Sequence, residues 1–327
     1  MLAFLPSPLL LLINLILVPL NSVLCALPIL ILGLLRPLRL RKLNTLIDKV
    51  NYFFYRIWVW GNTCTLALTN RIDWRLSGDE LPALNGKSCV VMSNHLSWAD
   101  IIVIGNLYRG RIPITKFFMK HSLIYIPVIG LACYALGMPF LRRYTKEQML
   151  KDPSLKTRDL ETTNRACRSL VNSPSSLINF VEGTRYTQQK AAAARSPYRH
   201  LMPPKCASLA VALGNIGKDI DYLFNTTIIY PENHGHIFAD MFRGRLKVIY
   251  ADIRVIKVTP EISGDYLNDK VYKHSFTMQV RKWWEEKDAW IDETLREGGY
   301  LKDDHPSDGG APAAAQAGST AGSETHS

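Results

Sequence analysis

The chain has 327 residues, a formal net charge of +11 and an apolar fraction of 47%, and its mean hydropathy is zero. This apolar content excludes wholesale disorder, and a charged fraction of 20% argues against a transporter with many membrane spans. The positive charge predicts an anionic partner, which is a lipid headgroup, a substrate phosphate or a nucleic acid. The six cysteines form no CxxC pair, so their spacing disfavours a zinc site or a dithiol redox site.

The chain begins with an apolar segment that has a basic flank. Residues 1–35 contain no charged side chain, and the apolar run over 9–35 is long enough to cross a hydrocarbon core of about 30 Å. The basic residues at 36–42 predict that the rest of the chain lies on the cytoplasmic side. A cleaved signal peptide fits less well, because no basic residue precedes the run. Pro19 and Pro28 leave open whether the segment spans fully or turns back.

A second membrane-seeking segment follows at 51–68. It is rich in aromatic residues and has Arg56 as its only charge, which predicts a helix lying in the membrane interface, with an ordinary core helix as the alternative. Residues 36–56 include six basic residues and one acidic residue, a balance typical of a segment that lies on anionic lipid. At the other end, residues 301–327 are rich in Gly, Ala, Ser, Pro and Thr, which predicts a disordered tail.

Strands and helices alternate between these ends. Apolar and β-branched runs predict strands at 88–93, 177–181, 225–230 and 245–258, the last as one or two strands. Amphipathic patterns predict helices at 98–108, 160–172, 205–213 and 268–297. The alternation predicts an α/β fold, with a mixed sheet flanked by helices and one or more membrane helices before it. Residues 122–141 are uncharged but interrupted by Pro and Gly, so we expect a buried or membrane-grazing segment there, not a second span.

The sharpest local signal is Asn-His-Leu-Ser-Trp-Ala-Asp at 94–100, directly after the first predicted strand. A carboxylate can hold an imidazole in one tautomer and leave its other nitrogen free to take a proton. Five residues are about 500° of helical rotation, so His95 and Asp100 can pair only if His95 lies in the loop and Asp100 in the first helical turn. The alternative is that Ser97 and Asp100 form a capping box and His95 is a hydrogen-bonded turn residue.

A second signal, Glu182-Gly183-Thr184-Arg185, follows the predicted strand at 177–181. Gly183 permits a tight turn, Arg185 offers a planar fork that suits a phosphate, and Glu182 can orient that arginine or bind a hydroxyl. The alternative is a turn that carries a surface ion pair, which contributes little to stability.

Positive charge is concentrated at 109–151, where eight basic residues and one acidic residue surround the uncharged segment 122–141. This arrangement suits an amphiphile with an anionic head better than a nucleic acid, and a solvated basic face is the alternative. Residues 201–205, Leu-Met-Pro-Pro-Lys, precede a helix of small residues. They indicate either the wall of a pocket or a plain helix start.

Together these segments resemble the glycerolipid acyltransferase superfamily. Its members carry an Asn-His-x-x-x-x-Asp block, a basic block, a Phe-Val/Pro-Glu-Gly-Thr-Arg block and a proline-centred block, and all four occur in this order within 85–260. The chain is most similar to a bacterial inner-membrane subgroup related to lysocardiolipin-type acyltransferases. The resemblance implies an acyltransferase domain at 71–300 on the cytoplasmic face, a membrane anchor with an interfacial helix at 1–70, and a disordered tail at 301–327.

The resemblance also implies roles for individual residues. It makes His95 the general base and Asp100 its partner in acyl transfer from acyl-CoA or acyl-ACP (acyl carrier protein) to a lysophospholipid, with no bound metal or cofactor. The first expected acceptor is 1-acylglycerol-3-phosphate, and lysophosphatidylglycerol or lysocardiolipin is the alternative. Anionic membrane lipids are expected partners, and nucleic acid is not. Substrate contacts are expected from Asn94, Lys116, Lys120, Arg142, Arg143, Glu182, Gly183, Thr184, Arg185, Pro203 and Pro204.

Two departures from the family pattern fall where acceptor or donor would be recognised. Lys-His-Ser-Leu at 120–123 stands where the family often has Lys-x-Glu-Leu, and Met-Pro-Pro-Lys at 202–205 replaces the commoner Val-Pro-Val type. Two hypotheses of other classes remain open. A lipid hydrolase would need a Gly-x-Ser-x-Gly elbow, which the chain lacks. A membrane-anchored protein that binds anionic lipid without catalysis is the other.

Overall fold

The computed structural model describes residues 2–38, 40–141, 146–152, 154, 161, 164, 167, 174–233 and 235–301. Two long helices come first, α1 (Ser7–Gly33) and α2 (Arg41–Thr69). The elements described after them are β1 (Asp73–Gly78), β2 (Ser88–Ser93), α3 (Ala99–Leu107), β3 (Ile114–Phe117), β4 (Met119–Lys120), α4 (Ile129–Ala135), β5 (Phe140–Leu141), α5 (Lys146–Lys151), β6 (Ser175–Phe180), α6 (Gln188–Ala193), α7 (Cys206–Ile216), β7 (Ile220–Ile229), α8 (Ile237–Phe242), β8 (Val248–Lys257) and α9 (Lys270–Glu297).

Six of these strands form one mixed sheet in the order β1-β8-β7-β2-β6-β3, and β4 pairs with β5 separately. The neighbours β7-β2-β6-β3 are all parallel, whereas β8 is antiparallel to β7 and parallel to β1. The central strand β2 is apolar on both sides, as expected of a parallel strand covered on both faces. The carboxyl ends of β2, β6 and β7 therefore meet at one edge of the sheet.

Helices cover both faces of the sheet. On one face α7 and α9 pack through fully buried side chains that include Leu209, Leu213 and Trp284. On the other face α2, α3 and α8 enclose a second cluster that includes Leu66 and Ile104. Burial of each such side chain stabilises the fold by about 1.5–3 kcal/mol. The predicted fold class, a mixed sheet flanked by helices, is confirmed.

Most of the predicted elements are present with small shifts at their ends. The run at 245–258 forms a single strand, β8, and the predicted helices at 98–108, 205–213 and 268–297 correspond to α3, α7 and α9. The edge strands β1 and β3 were not predicted, because both are short and carry charged residues. The predicted helix at 160–172 and the predicted tail at 301–327 lie almost entirely outside the described residues.

The N-terminal helices form a hairpin. α1 continues through Pro19 and Pro28, and in the described part of the chain Ser7–Leu38 is the one helical stretch long and apolar enough to cross a membrane. Most of its large apolar side chains are exposed. The expected interfacial segment is the second part of the longer helix α2. It packs along α1, and Trp58 Nε1 donates to Ser22 Oγ at 3.1 Å.

Buried polar side chains attach this hairpin to the sheet domain. Asn14 Nδ2 of α1 donates to the carbonyl of Phe242 at 2.8 Å. Asn70, directly after α2, donates to the carbonyl of Met241 at 3.0 Å and accepts from the backbone N–H of Leu246 at 3.1 Å. Because these amides are buried, each bond also satisfies a backbone group that no solvent reaches.

The uncharged segment 122–141 forms a short 3-10 turn, α4 and β5, not a second long helix. α4 packs closely on α1, where a Cβ at Gly33 would lie 3.0 Å from the Cβ of Ala135. Tyr125, Leu131 and Tyr134 are exposed. The segment is therefore a partly buried layer beside α1 that presents apolar side chains outward.

Asn70→Ala is expected to lower the free energy of unfolding by about 1–3 kcal/mol, because it removes the acceptor of the buried Leu246 N–H and one donor to the Met241 carbonyl. Denaturant unfolding of the full chain in detergent measures this change. Asn268→Ala, which removes an exposed bond to Asp265, should change stability by no more than about 0.5 kcal/mol. Equal effects of the two substitutions would contradict the attachment role of Asn70.

Candidate active site

The loop between β2 and α3 brings a histidine and an aspartate together. β2 ends at Ser93, α3 begins at Ala99, and His95 lies in the loop between them. His95 Nδ1 is 2.8 Å from Oδ2 of Asp100, which lies in the first turn of α3. The structure thus has the arrangement that a pair five residues apart requires.

The surroundings of Asp100 determine the tautomer of His95. Oδ2 also accepts the backbone N–H groups of Leu96 at 2.7 Å and Ser97 at 2.9 Å, and the hydroxyl of Tyr230 donates to Oδ1 at 2.8 Å. A carboxylate surrounded by donors acts as an acceptor, so the proton of the imidazole lies on Nδ1 and the lone pair on Nε2. Asp100 therefore holds the imidazole and also accepts the Ser97 N–H, as one half of the alternative capping box would, whereas Ser97 Oγ accepts from the N–H of Ala99 at 3.2 Å.

His95 is also held through its backbone and its ring face. Its N–H donates to Oε2 of Glu182 at 3.2 Å, and its carbonyl accepts from the N–H of Tyr186 at 2.8 Å. The ring stacks on Phe180, with centroids 4.0 Å apart and planes at 16°. The side chain is 15% exposed. The imidazole is thus fixed in position at the surface of the sheet edge.

Asn94, an expected substrate contact, has a side chain that is occupied inside the protein. Its side chain is buried, its Nδ2 donates to the carbonyl of Ile228 at 2.8 Å, and its Oδ1 accepts from the N–H of Ile228 at 2.9 Å. The side-chain amide of Asn94 therefore forms the same pair of hydrogen bonds with β7 that the backbone of a neighbouring strand residue would form. Asn94 ties the end of β2 to β7 and positions the residue that follows it.

Glu182 also differs from the expectation that it orients Arg185 or binds substrate. It is fully buried, and its Oε1 accepts from the N–H of Met202 at 3.2 Å while its Oε2 accepts from that of His95. Burial raises the pKa of this carboxyl to about 8, and the two backbone bonds oppose that rise. Glu182 thus joins three loops from inside the protein.

The residues after Glu182 form a turn at the surface. Gly183 has a φ of +65°, a conformation that favours glycine. Thr184 Oγ1 accepts from Lys190 Nζ at 3.1 Å. The exposed guanidinium of Arg185 lies 5.6 Å from the ring centroid of Trp98, which belongs to the loop of His95. This stacking keeps the arginine beside the histidine loop.

The basic block is only partly described. Lys116 of β3 is buried, and desolvation lowers its pKa while the charge of Asp48 opposes that change. Lys120 of β4 is exposed. Arg142 and Arg143 lie outside the described residues. The structure thus brings together His95, Asp100, Glu182 and Arg185, and it places Lys116 inside the protein.

The proline-centred block lies against the turn that contains Glu182. Pro203 and Pro204 are half-buried. A hydrogen bond holds the chain on each side of them: the Met202 N–H donates to Glu182, and the Lys205 N–H donates to the carbonyl of Val181 at 2.8 Å. Trp284 Nε1 of α9 donates to the carbonyl of Met202 at 2.9 Å. The prolines thus stiffen a segment that is held from both sides.

Lys287 of α9 is a buried charge that the sequence motifs did not single out. It is 3% exposed, and its Nζ donates to the carbonyl of Thr226 at 2.5 Å and lies 4.9 Å from the ring centroid of Trp284. Desolvation lowers its pKa to about 7, and the charge of Glu182 opposes this change. The available sequence signal was its spacing, since Lys287 lies on the apolar stripe three residues after Trp284 and four before Ile291.

This arrangement suits proton transfer at a strand edge. It offers an imidazole in one tautomer, a carboxylate that stabilises its protonated form, and an exposed guanidinium nearby. Within the described ranges, no group of three or more His, Cys, Asp or Glu side chains has the arrangement of a metal site.

Comparison with known proteins shows which proteins this chain is similar to. Residues 75–231 match the family model described as Acyltransferase. Similar proteins include 1-acyl-sn-glycerol-3-phosphate acyltransferase delta of Macaca fascicularis, which is 23% identical over 256 residues, with 74% of this chain and 60% of that protein covered. Another is 1-acyl-sn-glycerol-3-phosphate acyltransferase 2 of Brassica napus, 26% identical over 213 residues, with 59% and 52% covered. A crystal structure of the 1-acyl-sn-glycerophosphate acyltransferase PlsC of Thermotoga maritima aligns with a TM-score of 0.45 and 17% identity over 83% of this chain and 98% of that one.

The matched segment is just under half of the chain, and it contains both the His95 motif and the Glu182 motif. These similarities agree with the resemblance to the glycerolipid acyltransferase superfamily that the motifs predicted. It covers 60% and 52% of the lengths of the two curated relatives named above.

Lys287→Met is expected to lower the free energy of unfolding more at about pH 8.5 than at about pH 6. Loss of the lysine removes a charge that lowers the pKa of Glu182, so burial would hold that pKa further above its ordinary value of 4.5. A carboxyl with a raised folded pKa stabilises the fold below its unfolded pKa, and this contribution is lost as the pH rises through the folded pKa. The pKa of Lys287 in the wild type is lowered to about 7, so this lysine makes the fold more stable as the pH rises from 7 towards 10.5, opposite to the effect of Glu182. Lys287→Met loses this gain, which adds to the larger loss of stability at the higher pH.

Denaturant unfolding in detergent at the two pH values measures this difference. Lys282→Met, on the exposed side of the same helix, is the matched control and should have the same small effect at both. A loss in Lys287→Met that does not change with pH would refute the coupling to Glu182.

Proposed function

We propose that this protein is a membrane-bound enzyme that transfers a fatty acyl chain from an acyl thioester to a free glycerol hydroxyl of a lysophospholipid. The observation that carries the proposal is the 2.8 Å contact between His95 Nδ1 and Asp100 Oδ2, which leaves Nε2 to accept a proton. The names of the relatives support 1-acylglycerol-3-phosphate as the acceptor and phosphatidic acid as the product.

The reaction follows from this geometry in two proton transfers. His95 Nε2 removes the proton of the acceptor hydroxyl, and the oxygen forms a bond to the thioester carbonyl carbon. The tetrahedral intermediate collapses, the C–S bond breaks, and the leaving thiolate takes the proton from the imidazolium. Asp100 stabilises that imidazolium through Nδ1. The products are an ester and a free thiol, and the protein provides no nucleophile.

Arg185 is our proposed contact for the acceptor phosphate. Its guanidinium is exposed, and its stacking on Trp98 leaves the edge of the fork free to bind an anion beside the His95 loop. Lys120, Arg142 and Arg143 are proposed as further phosphate contacts. Lys116 is less suited to contact with the acceptor, because it is buried.

Gly183, Thr184, Pro203 and Pro204 are proposed to shape the pocket around the acceptor. The thioester can come from acyl-CoA or from acyl-ACP, because the chemistry at His95 is the same for both. Lysophosphatidylglycerol or lysocardiolipin is the second acceptor candidate, and the departures at 120–123 and 202–205 favour a headgroup site that differs from the usual one.

The membrane placement is a proposal as well. The apolar exposed surface of α1 supports an anchor within 1–70, and the basic residues that follow support a cytoplasmic catalytic domain on a bacterial inner membrane, in contact with anionic lipids. A catalytic domain that extends to about residue 300 is supported by α9, because Trp284 binds the Met202 segment and Lys287 binds strand β7 behind the site.

His95→Ala is expected to reduce acyl transfer by at least about 10³-fold, because the general base is lost, while the protein stays in the membrane fraction. Membranes that contain the protein are incubated with labelled acyl-CoA or acyl-ACP and a lysolipid panel, and products are identified by mass. His200→Ala is the matched control, since His200 makes a similar 2.9 Å contact with Asp292 away from the β2 loop. Full activity of His95→Ala would refute the mechanism, and no transfer by the wild type to any acceptor would favour a binding protein.

Arg185→Ala is expected to raise KM for a phosphate-bearing acceptor by about tenfold or more, the size of a lost charge-assisted hydrogen bond, and to leave kcat nearly unchanged. Steady-state kinetics with 1-acylglycerol-3-phosphate measure both constants. Arg71→Ala, an exposed arginine between α2 and β1, controls for the change in charge. An unchanged KM in Arg185→Ala would move the phosphate site to Lys120, Arg142 and Arg143.

A further inference from the structure

A cavity of about 540 Å³ lies between α2 and the carboxyl end of α3. This volume is within the range of about 300–1,000 Å³ found for small-molecule sites. Its walls are mainly aromatic and aliphatic, and they include Tyr52, Phe53, Val59, Trp60 and Ile112.

The cavity is separate from the candidate active site. Gly105 of α3 and Tyr108, directly after α3, line it at the opposite end of the helix from Asp100. At 1.5 Å per residue, Tyr108 lies about 12 Å along the helix axis from Asp100. His95, Asp100 and Glu182 are absent from the lining. The proton transfer proposed above therefore does not use this space.

Hydrogen bonds hold the walls of the cavity in place. Tyr55 of α2 bonds to Thr115 Oγ1 of β3 at 2.7 Å, which joins two sides of the cavity. The buried hydroxyl of Tyr108 bonds to Thr226 Oγ1 at 2.5 Å. A cavity with walls fixed in this way binds a ligand without the cost of ordering them first.

The charge of the cavity selects the class of ligand. Arg56 and Arg109 line it, both exposed, and its lining contains no Asp or Glu. In the described part of the chain neither arginine forms an ion pair, and Arg56 lies 6.0 Å from the ring centroid of Tyr52. Apolar walls beside two unpaired guanidinium groups fit an amphiphile with a phosphate head.

The position of α2 indicates where such a ligand comes from. Phe53 and Trp60 line the cavity and are also exposed, 58% and 60% of their surface. Aromatic side chains of this kind favour the headgroup level of a bilayer, and α2 packs along the apolar helix α1. We infer that the cavity is a non-catalytic site for an anionic membrane phospholipid, with its phosphate on Arg56 and Arg109 and an acyl chain between the aromatic walls.

Binding of dioctanoyl phosphatidylglycerol to the full chain in neutral detergent tests this inference. Calorimetry is performed on proteins that also carry His95→Ala, so that no turnover contributes. Arg56→Gln with Arg109→Gln should weaken binding by about tenfold or more. Lys270→Gln with Lys282→Gln makes the same charge change on the opposite face of the sheet and should leave the affinity unchanged. Equal affinities of the two double variants would overturn the site.

A second substitution separates the cavity from surface charge. Gly105→Leu adds a side chain towards Val59, whose Cγ1 would be 3.7 Å from the new Cβ. The leucine should fill the cavity and weaken lipid binding about as much as the double arginine substitution, without any change of charge. Thermal unfolding confirms that this variant remains folded.

Two other ligands show whether the site recognises the anionic head, the acyl chains or both. Dioctanoyl phosphatidylcholine should bind about tenfold more weakly, and glycerol phosphate, which has the head without the chains, should bind more weakly still. Glycerol phosphate binding as tight as that of the lipid would make the site one for free phosphate and overturn the lipid assignment. Failure of acyl transfer in the wild type bears on the proposed function alone, because lipid binding is measured without turnover.

Discussion

The arrangement of the site depends on one carboxylate at the start of α3. Asp100 accepts from the ring of His95, from two backbone N–H groups of the same loop and from the hydroxyl of Tyr230. Four donors on one buried group place the loop, the first turn of the helix and the end of β7 in a single geometry. Because Nδ1 is committed to this carboxylate, only Nε2 is left for chemistry.

A second buried layer supports that loop from behind, and it is built from charged residues. Glu182 accepts the backbone N–H groups of His95 and Met202, and Lys287 lies close enough for its charge to oppose the rise in the pKa of Glu182. Burying a carboxylate or an ammonium alone is costly, whereas an opposite charge and satisfied hydrogen bonds offset much of that cost. Since α9 supplies Lys287 and Trp284, the last long helix belongs to the architecture of the site.

The fold class and the long elements could be predicted because their signals are local. An apolar run such as β2 and an amphipathic helix such as α9 show their period within one segment. The edge strand β3 escaped prediction because its four residues include Thr115 and Lys116 and acquire strand geometry only by pairing with β6. The ends of elements shifted for the same reason, since tertiary contacts decide where a helix or strand stops.

The amino-acid sequence by itself indicated the resemblance to glycerolipid acyltransferases, the mixed α/β class and the pairing of His95 with Asp100, because these rest on residue types at short, regular spacings. Only the tertiary structure decided what the side chains of these motifs touch. Asn94 and Glu182 were expected to bind substrate, but Asn94 binds the backbone of strand β7 and Glu182 binds that of two loops, since a buried polar group must find partners wherever the fold provides them. The cavity between α2 and α3 likewise arises from packing, because its two arginines are 53 positions apart in the chain and become neighbours only in the folded protein.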